Sequence, residues 1–508
     1  VGSAARHIAA RGALAAFGGV VAAGWLLVLP LGTHTGGTAP VRAGPEASAG
    51  ASRPESGEES GEGGPVAADL VLPVAAVGTA GAAAAYAHVR RTRRTRTRTT
   101  PAAAVEPVVP SDELDRRGRR LLVETDDCVR TSAEELGFVA ERYGEDTARP
   151  FAQALECARG ELAEAFRLRQ MLDDASDRLS ADDRRRALEE IVRGCTQAGH
   201  RLDAQAPAFD QVRALERDPA GALEHAENRF RELTGRVRSA GGKLTGLHER
   251  YAPDASRSVE DHVEQAKDRL VFATSRLNRA RQALDRGDPG TAALRLRAAE
   301  GAVHQADLLA AAVGRLAAEL AAAERLPEAR RETADGPYDP LDALRRLVHA
   351  DVGADGLPAH SLPFEQDGAA LREGAVLVAE SDVAAVRDFV TTHRGAVGSA
   401  ARTRLAEAER HLVQARDALP ADGPRANASP LIEARRAGFL AQEARRLAER
   451  DVRAYGDLHD GPLGDGLGVA LLGGVLLADV PGGGDGLRGP ACYGGPGTRG
   501  RRTASGRV

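Results

Sequence analysis

The chain has 508 residues, and its 68 Lys and Arg against 73 Asp and Glu give a net charge of −5, which excludes a global polyelectrolyte role. Aromatic residues make up 3%, with one Trp and one Met, so thick mixed cores are excluded and long helices packed through Ala and Leu are favoured. Cys128, Cys157, Cys195 and Cys492 form no CxxC pair, which leaves a zinc site or redox dithiol unsupported.

Arg6, His7 and Arg11 precede the apolar run ALAAFGGVVAAGWLLVLPL at 13–31. Such a basic start before an apolar stretch reads as a signal peptide or a signal anchor over 1–43, with a small-x-small site at Val41-Arg42-Ala43. Residues 44–65 are rich in Gly, Pro and Ser and carry Glu55, Glu58, Glu59 and Glu62. They cannot bury a core and read as a disordered, acidic extracytoplasmic linker. The uncharged LVLPVAAVGTAGAAAAYAHV at 70–89 follows. Twenty helical residues rise about 30 Å, the thickness of the hydrocarbon layer, so a transmembrane helix is expected within 66–89.

Arg90, Arg91, Arg93, Arg94, Arg96 and Arg98 come directly after it, in a basic juxtamembrane linker at 90–110. Arginine-dense flanks stay in the cytoplasm, and the side before the span holds only Arg42 and Arg53. The expected topology is N-terminus in, acidic loop out and everything after Arg90 in, at the plasma membrane. Tyr86 sits at the cytoplasmic interface as an aromatic anchor. The arginines alternate with Thr and have no interleaved aromatics, so no specific nucleic-acid site is expected. Their partner is the lipid bilayer, whose anionic inner leaflet attracts such a run.

From 111 to 350 the helical period dominates. Leu223, Ala226, Phe230, Leu233, Val237 and Ala240 step by 3 and 4, and the pattern continues through Leu244, Leu247 and Tyr251. A second stripe runs from Val259 through Val263, Ala266, Leu270 and Ala273 to Leu284, and a third from Leu296 through Ala299, Val303 and Ala306 to Leu320. Earlier, Leu122, Val129, Leu136 and Tyr143 recur every seven residues, as do Leu188, Cys195, Leu202 and Phe209. Sustained 3–4 spacing keeps one apolar stripe facing a partner helix, as in coiled coils. Gly241 and Gly242 are expected to loosen the first stripe locally.

The breaks share a plan. In LERDPAGALEHAE (215–227) and LDRGDPGTAALRLRAAE (284–300) an Asp caps a new helix whose first turn accepts Pro; 419–449 is a weaker third copy. Short connections of this kind make antiparallel hairpins, so the expected fold class is all-α, an elongated antiparallel bundle of repeated hairpins. Residues 351–382 read as an irregular linker, 383–455 as a helical hairpin and 456–508 as a Gly-rich disordered tail.

No motif carries catalytic chemistry. The cysteines at 128, 157 and 195 fall on helices and read as small buried hydrophobes. In VEDHVEQ, Glu260, Asp261, His262 and Glu264 point around a helix and read as a solvated face rather than a metal site. GGPGTRG lacks the Lys-Ser/Thr of a P-loop, GLGVALLGG follows no strand, and Gly-x-Ser-x-Gly is absent. No catalytic, cofactor-binding or metal-binding residue is assigned, and no cofactor is expected.

Four stretches carry a resemblance: LVETDDCVRTSAEELGFVAERYGE (122–145), HVEQAKDRLVFATSRLNRARQALDRGD (262–288), GPYDPLDALRR (336–346) and DFVTTHRGAVGSAARTRLAEAER (388–410). They resemble actinobacterial membrane proteins that carry a TPM domain, over residues 66–508 with a gap at 351–382. The resemblance implies a signal peptide, an extracytoplasmic TPM domain, a transmembrane helix and then this helical region. Residues 32–65 are too short to hold that α/β module, so its phosphatase chemistry is not carried over.

The expected function is that of a membrane-anchored cytoplasmic coiled-coil scaffold or adaptor, with a protein partner or a second copy engaged through the helical stripes. The alternatives are a phosphatase-type hydrolase, on family association, and a soluble nucleic-acid-associated coiled-coil protein.

Overall fold

Alternating 3–4 stripes require helices, and the computed structural model supplies them in sets of three. It describes residues 109–175, 178–326, 337–350, 368–419, 429–456, 466–477 and 489–505, all within the second of two units, Val105–Val508. Both candidate membrane spans, Tyr86 and the six arginines at 90–98 lie outside the described residues.

The first bundle consists of α1 (Ser111–Tyr143), α2 (Glu145–Asp174) and α3 (Ala181–Arg213). A core of Leu122, Phe151, Leu155, Phe166, Ile191 and Phe209 is shared among them. The second bundle consists of α4 (Pro219–Arg250), α5 (His262–Asp285) and α6 (Pro289–Ala323), with a 3-10 turn at Pro253–Val259. A short helix, α7 (Pro340–Ala350), comes next. The third bundle consists of α8 (Gly368–Thr392), α9 (Ser399–Ala418) and α10 (Ser429–Tyr455). Helix α7 gives Leu341 and Leu344 to the second core and Val348 to the third. Repeated hairpins therefore close as three-helix bundles, and 383–455 is part of a triad rather than a hairpin. The linker expected at 351–382 gives way to helix from Gly368 onward.

Alanine explains how so few large residues suffice. Ala266, Ala273 and Ala280 recur every seven residues on α5, and Ala292, Ala299 and Ala306 do so on the facing α6; all six are fully buried. Methyl-only seams let backbones approach closely, and at interior packing density an added branch has nowhere to go. The three stripes read from the sequence are buried inside the bundles from Leu223 to Leu320, with Phe230, Leu284 and Ala317 partly covered. Helix α4 runs unbroken through Gly241 and Gly242, because Val237, Ala240 and Leu244 on either side hold it to the core.

The Asp-Pro breaks act as expected. The Asp218 carboxylate accepts from the Gly221 N–H at 3.0 Å and Asp288 accepts from Thr291 N–H at 2.9 Å, with Pro in the first turn of each helix. A tighter joint separates α1 from α2. The single residue Gly144 has φ 87° and ψ 159°, a region open essentially to glycine alone.

The tail differs from its expected disorder in its described parts. Helix α11 (Leu467–Leu472) and the residues after it place Ala470, Leu471, Val475 and Leu476 in the second core. Helix α12 (Pro496–Ser505) packs on the first bundle. The glycines permit contact rather than disorder. At Gly495, for example, a Cβ would overlap the Gly199 carbonyl on α3.

Among the described residues no helix is long and apolar enough to cross a membrane. Two substitutions test the packing account by denaturant unfolding. Gly144→Ala is expected to cost about 1–3 kcal/mol through backbone strain, and Ala273→Leu about 1–3 kcal/mol through overpacking of the α5–α6 seam. Unchanged midpoints in both would remove the account.

Candidate functional site

The three bundles meet around α1, and they meet through charge. Four carboxylates of α1, those of Asp126, Asp127, Glu134 and Glu135, face arginines carried by the other two bundles. Arg402 of α9 has no solvent exposure. Its Nη1 donates to Asp126 at 2.5 Å and Asp127 at 2.7 Å, its Nε to the Val397 carbonyl at 3.1 Å and its Nη2 to the Arg394 carbonyl at 2.6 Å. Arg394, in the α8–α9 loop, donates twice to the Glu134 carboxylate, at 2.5 and 3.1 Å. From the second bundle, Arg297 lies 2.8 Å from Glu135 as an ion pair, and Arg213 of α3 pairs with Glu300 of α6. The second and third bundles are joined by Arg315 to Asp388 and by Arg269 Nη2 donating to the Thr392 carbonyl.

These pairs set the ionisation. Burial pushes the Asp126 carboxyl up, but Arg130 and Arg402 outweigh it and hold the group below the usual carboxylate range. Glu134 is likewise lowered, burial being overcome by Arg394 and His304. Arg402 is raised, its burial being outweighed by Asp127 and Asp126. Asp388 goes the other way, pushed up to about 6 by burial against the pull of Arg315. His262 and His393 are both lowered to about 4, by burial first and then by nearby arginines. His393 stacks on Phe389 at 4.3 Å, and its Nδ1 faces the Phe389 carbonyl at 3.0 Å, so Nδ1 carries the proton. His262 thus corrects the solvated-face expectation. Glu260, Asp261 and Glu264 are exposed, but His262 is part-buried, with its Nδ1 out of solvent.

The tail completes this junction. Tyr493 stacks on Phe209 with centroids 4.1 Å apart and donates its hydroxyl to the Phe151 carbonyl at 3.3 Å. The Gly494 N–H reaches Ser132 Oγ at 3.2 Å. Asp203 of α3 accepts the N–H groups of Gly495, Gly497 and Thr498 at 3.0, 3.1 and 2.8 Å, supplying the first turn of α12 with the acceptor it lacks. Cys128 and Cys492 are buried at this seam, and burial pushes their thiols up to about 12 and about 11. Cys195 is also pushed up to about 12. Cys157, expected in a core, is exposed on α2.

Beside the junction a crevice of about 810 Å³ opens between α1, α2, α6, α8 and α9. Val129, Leu162, Phe166 and Leu308 form its apolar wall, and Arg130, Arg159, Arg387 and Arg410 supply its cationic groups. Arg130 sits deepest of the four, with two bonds from Nε to Asp126 and one from Nη1 to Thr391. Among the described residues no group of three His, Cys, Asp or Glu side chains is arranged to hold a metal.

None of the junction was assigned from sequence. The signal that marks it is the density of charge inside TDDCVRTSAEE and VTTHRGAVGSAARTR, where the helical period also demands burial. The site residues that were assigned, Tyr86 and the arginines at 90, 91, 93, 94, 96 and 98, lie outside the described residues.

The chain is similar to two UPF0603 proteins, from the CDC 1551 and H37Rv strains of Mycobacterium tuberculosis. Each is 32% identical over 437 aligned residues, which cover 76% of this chain and 65% of the relative. The chain thus spans just under two thirds of the length of these relatives. No family model matches, and no solved structure matches.

Two measurements test the junction. Arg402→Met takes away the arginine of Asp127 and leaves buried Asp126 with Arg130 alone, at an expected cost of about 3 kcal/mol, the low end for a broken buried pair, whereas Arg387→Met, on the rim, costs about 0–1 kcal/mol. The histidines give a pH signature. Their folded values near 4 lie below the ordinary 6.5, so their share of stability is lost as pH falls from 6.5 to 4 while the unfolded chain takes up protons; Asp388, raised to about 6, opposes this by taking up its proton first in the folded chain. His262→Gln should flatten that slope in thermal unfolding. The lowered carboxylates contribute a further loss only below about pH 4.

Proposed function

We propose that this UPF0603-like chain is a membrane-anchored scaffold or adaptor without catalysis of its own, with its helical body in the cytoplasm. The observation that carries the reading is the use made of α1's carboxylates. Each faces an arginine, and for three of the four that arginine belongs wholly to another bundle. Charged groups spent on each other hold a rigid platform, and they are poorly placed to act as acids, bases or nucleophiles. The buried thiols, raised by desolvation, stay protonated at neutral pH. Anchorage rests on the uncharged run at 70–89 and the arginines that follow it.

In this reading the bilayer and a protein partner or second copy are the binding partners. Because the long stripes are buried within the bundles, a partner meets other surfaces, such as Ile432 and Phe439, seven residues apart on α10 and about half exposed.

Membranes carrying the full chain are expected to retain it through carbonate and high salt and to release it to detergent. Carbonate release would favour the soluble coiled-coil alternative. A reporter fused after Arg98 should be active only on the cytoplasmic side. Purified full chain should give no turnover of p-nitrophenyl phosphate above buffer, and sustained turnover would favour the hydrolase.

A further inference from the structure

We infer that the crevice between α1, α2, α6, α8 and α9 is a binding site for a single-chain amphiphile with an anionic head, a carboxylate or phosphate monoester on an aliphatic tail. The inference is independent of how the chain is anchored.

Size sets the class first. At about 810 Å³ the crevice falls within the range of about 300–1,000 Å³ of small-molecule sites, and helical bundles hold such sites between their helices. Chemistry of the walls comes second. Val129 and Ala133 of α1, Leu162 and Phe166 of α2, and Leu308 of α6 present apolar surface, and Phe166 and His304 are the two rings in the lining. A peptide would bring backbone N–H and C=O groups that these walls cannot satisfy. An aliphatic chain brings none.

Charge fixes the head. The lining holds five arginines, at 130, 159, 387, 402 and 410, against three carboxylates, those of Asp126, Glu134 and Glu409. Arg402 and Glu134 are consumed by the junction. At the rim, Arg387 gives only its Nε to Glu409, at 2.6 Å, and is 46% exposed. Arg159 gives only Nη1 to Glu156 and is 44% exposed. Both Nη groups of Arg387 and Nη2 of Arg159 are thus left to donate to an oxyanion, in the fork geometry that suits carboxylate and phosphate. The arrangement is cationic at the mouth and apolar within, and an anionic amphiphile is its complement.

A palmitate analogue with a diazirine on its chain, applied to the purified full chain, tests this. Photolysis is expected to label peptides spanning Leu162–Phe166 and Ala406–Val413. Arg159→Gln with Arg387→Gln should reduce labelling about tenfold, the factor carried by one charge-assisted hydrogen bond. Ala163→Trp, at an exposed position on the crevice wall, should block labelling while leaving thermal unfolding unchanged. The matching alcohol analogue should label at least about tenfold less than the acid. Labelling elsewhere, equal labelling by acid and alcohol, or insensitivity to the variants would overturn the assignment. So would displacement by an acidic helical peptide but not by palmitate.

Discussion

A buried guanidinium must be matched on all sides, and Arg402 shows what that demand does to a whole chain. With no exposure to solvent, it needs acceptors for its donors, and two come from α1, more than 270 residues earlier. Two more are the carbonyls that close the α8–α9 turn. The third bundle cannot shift against the first without stranding a charge in a medium where it is heavily penalised. Apolar contacts between bundles tolerate sliding, but matched ionic contacts do not. Hydrophobic seams therefore build each bundle, and arginine–carboxylate pairs fix how the bundles join.

This division explains what was legible in the sequence. Stripes such as Leu188, Cys195, Leu202 and Phe209 have one period, and local spacing suffices to place them in a core. The Asp218 and Asp288 caps are likewise local, each reaching three residues ahead. The junction is not local. Asp126 looks like any helix-surface acid until its partner, far along the chain, is known, and nothing in spacing connects the two. Glycine misled for a related reason. In residues 466–477 and 489–505 it allows backbones to touch, as at Gly495 against Gly199, but composition alone reads the same residues as disorder. His262 was misplaced because a helical wheel sees only its own helix and not the neighbouring helices that bury its ring.

The crevice follows from the junction rather than standing beside it. Three helical bundles pinned to one another by ion pairs cannot also fill the angles between them. The gap left by α1, α2 and α9 keeps its shape because Asp126 and Arg130, which line it, are fixed by each other and by Arg402 and Thr391 in the same lining. Preorganisation of this kind lowers the cost of binding, since little has to be ordered when a ligand arrives.

Tyr493 adds a consequence in time. The first bundle leaves the ribosome hundreds of residues before the ring that stacks on Phe209 and covers Phe151 has been synthesised. Until then its centre has an open aromatic socket, and Asp203 and Ser132 face the site with no backbone N–H to receive. The earliest-made bundle is thus the last to be finished. A nascent chain of this protein carries a sticky, incomplete core through most of its own translation, a period in which a chaperone has reason to hold it.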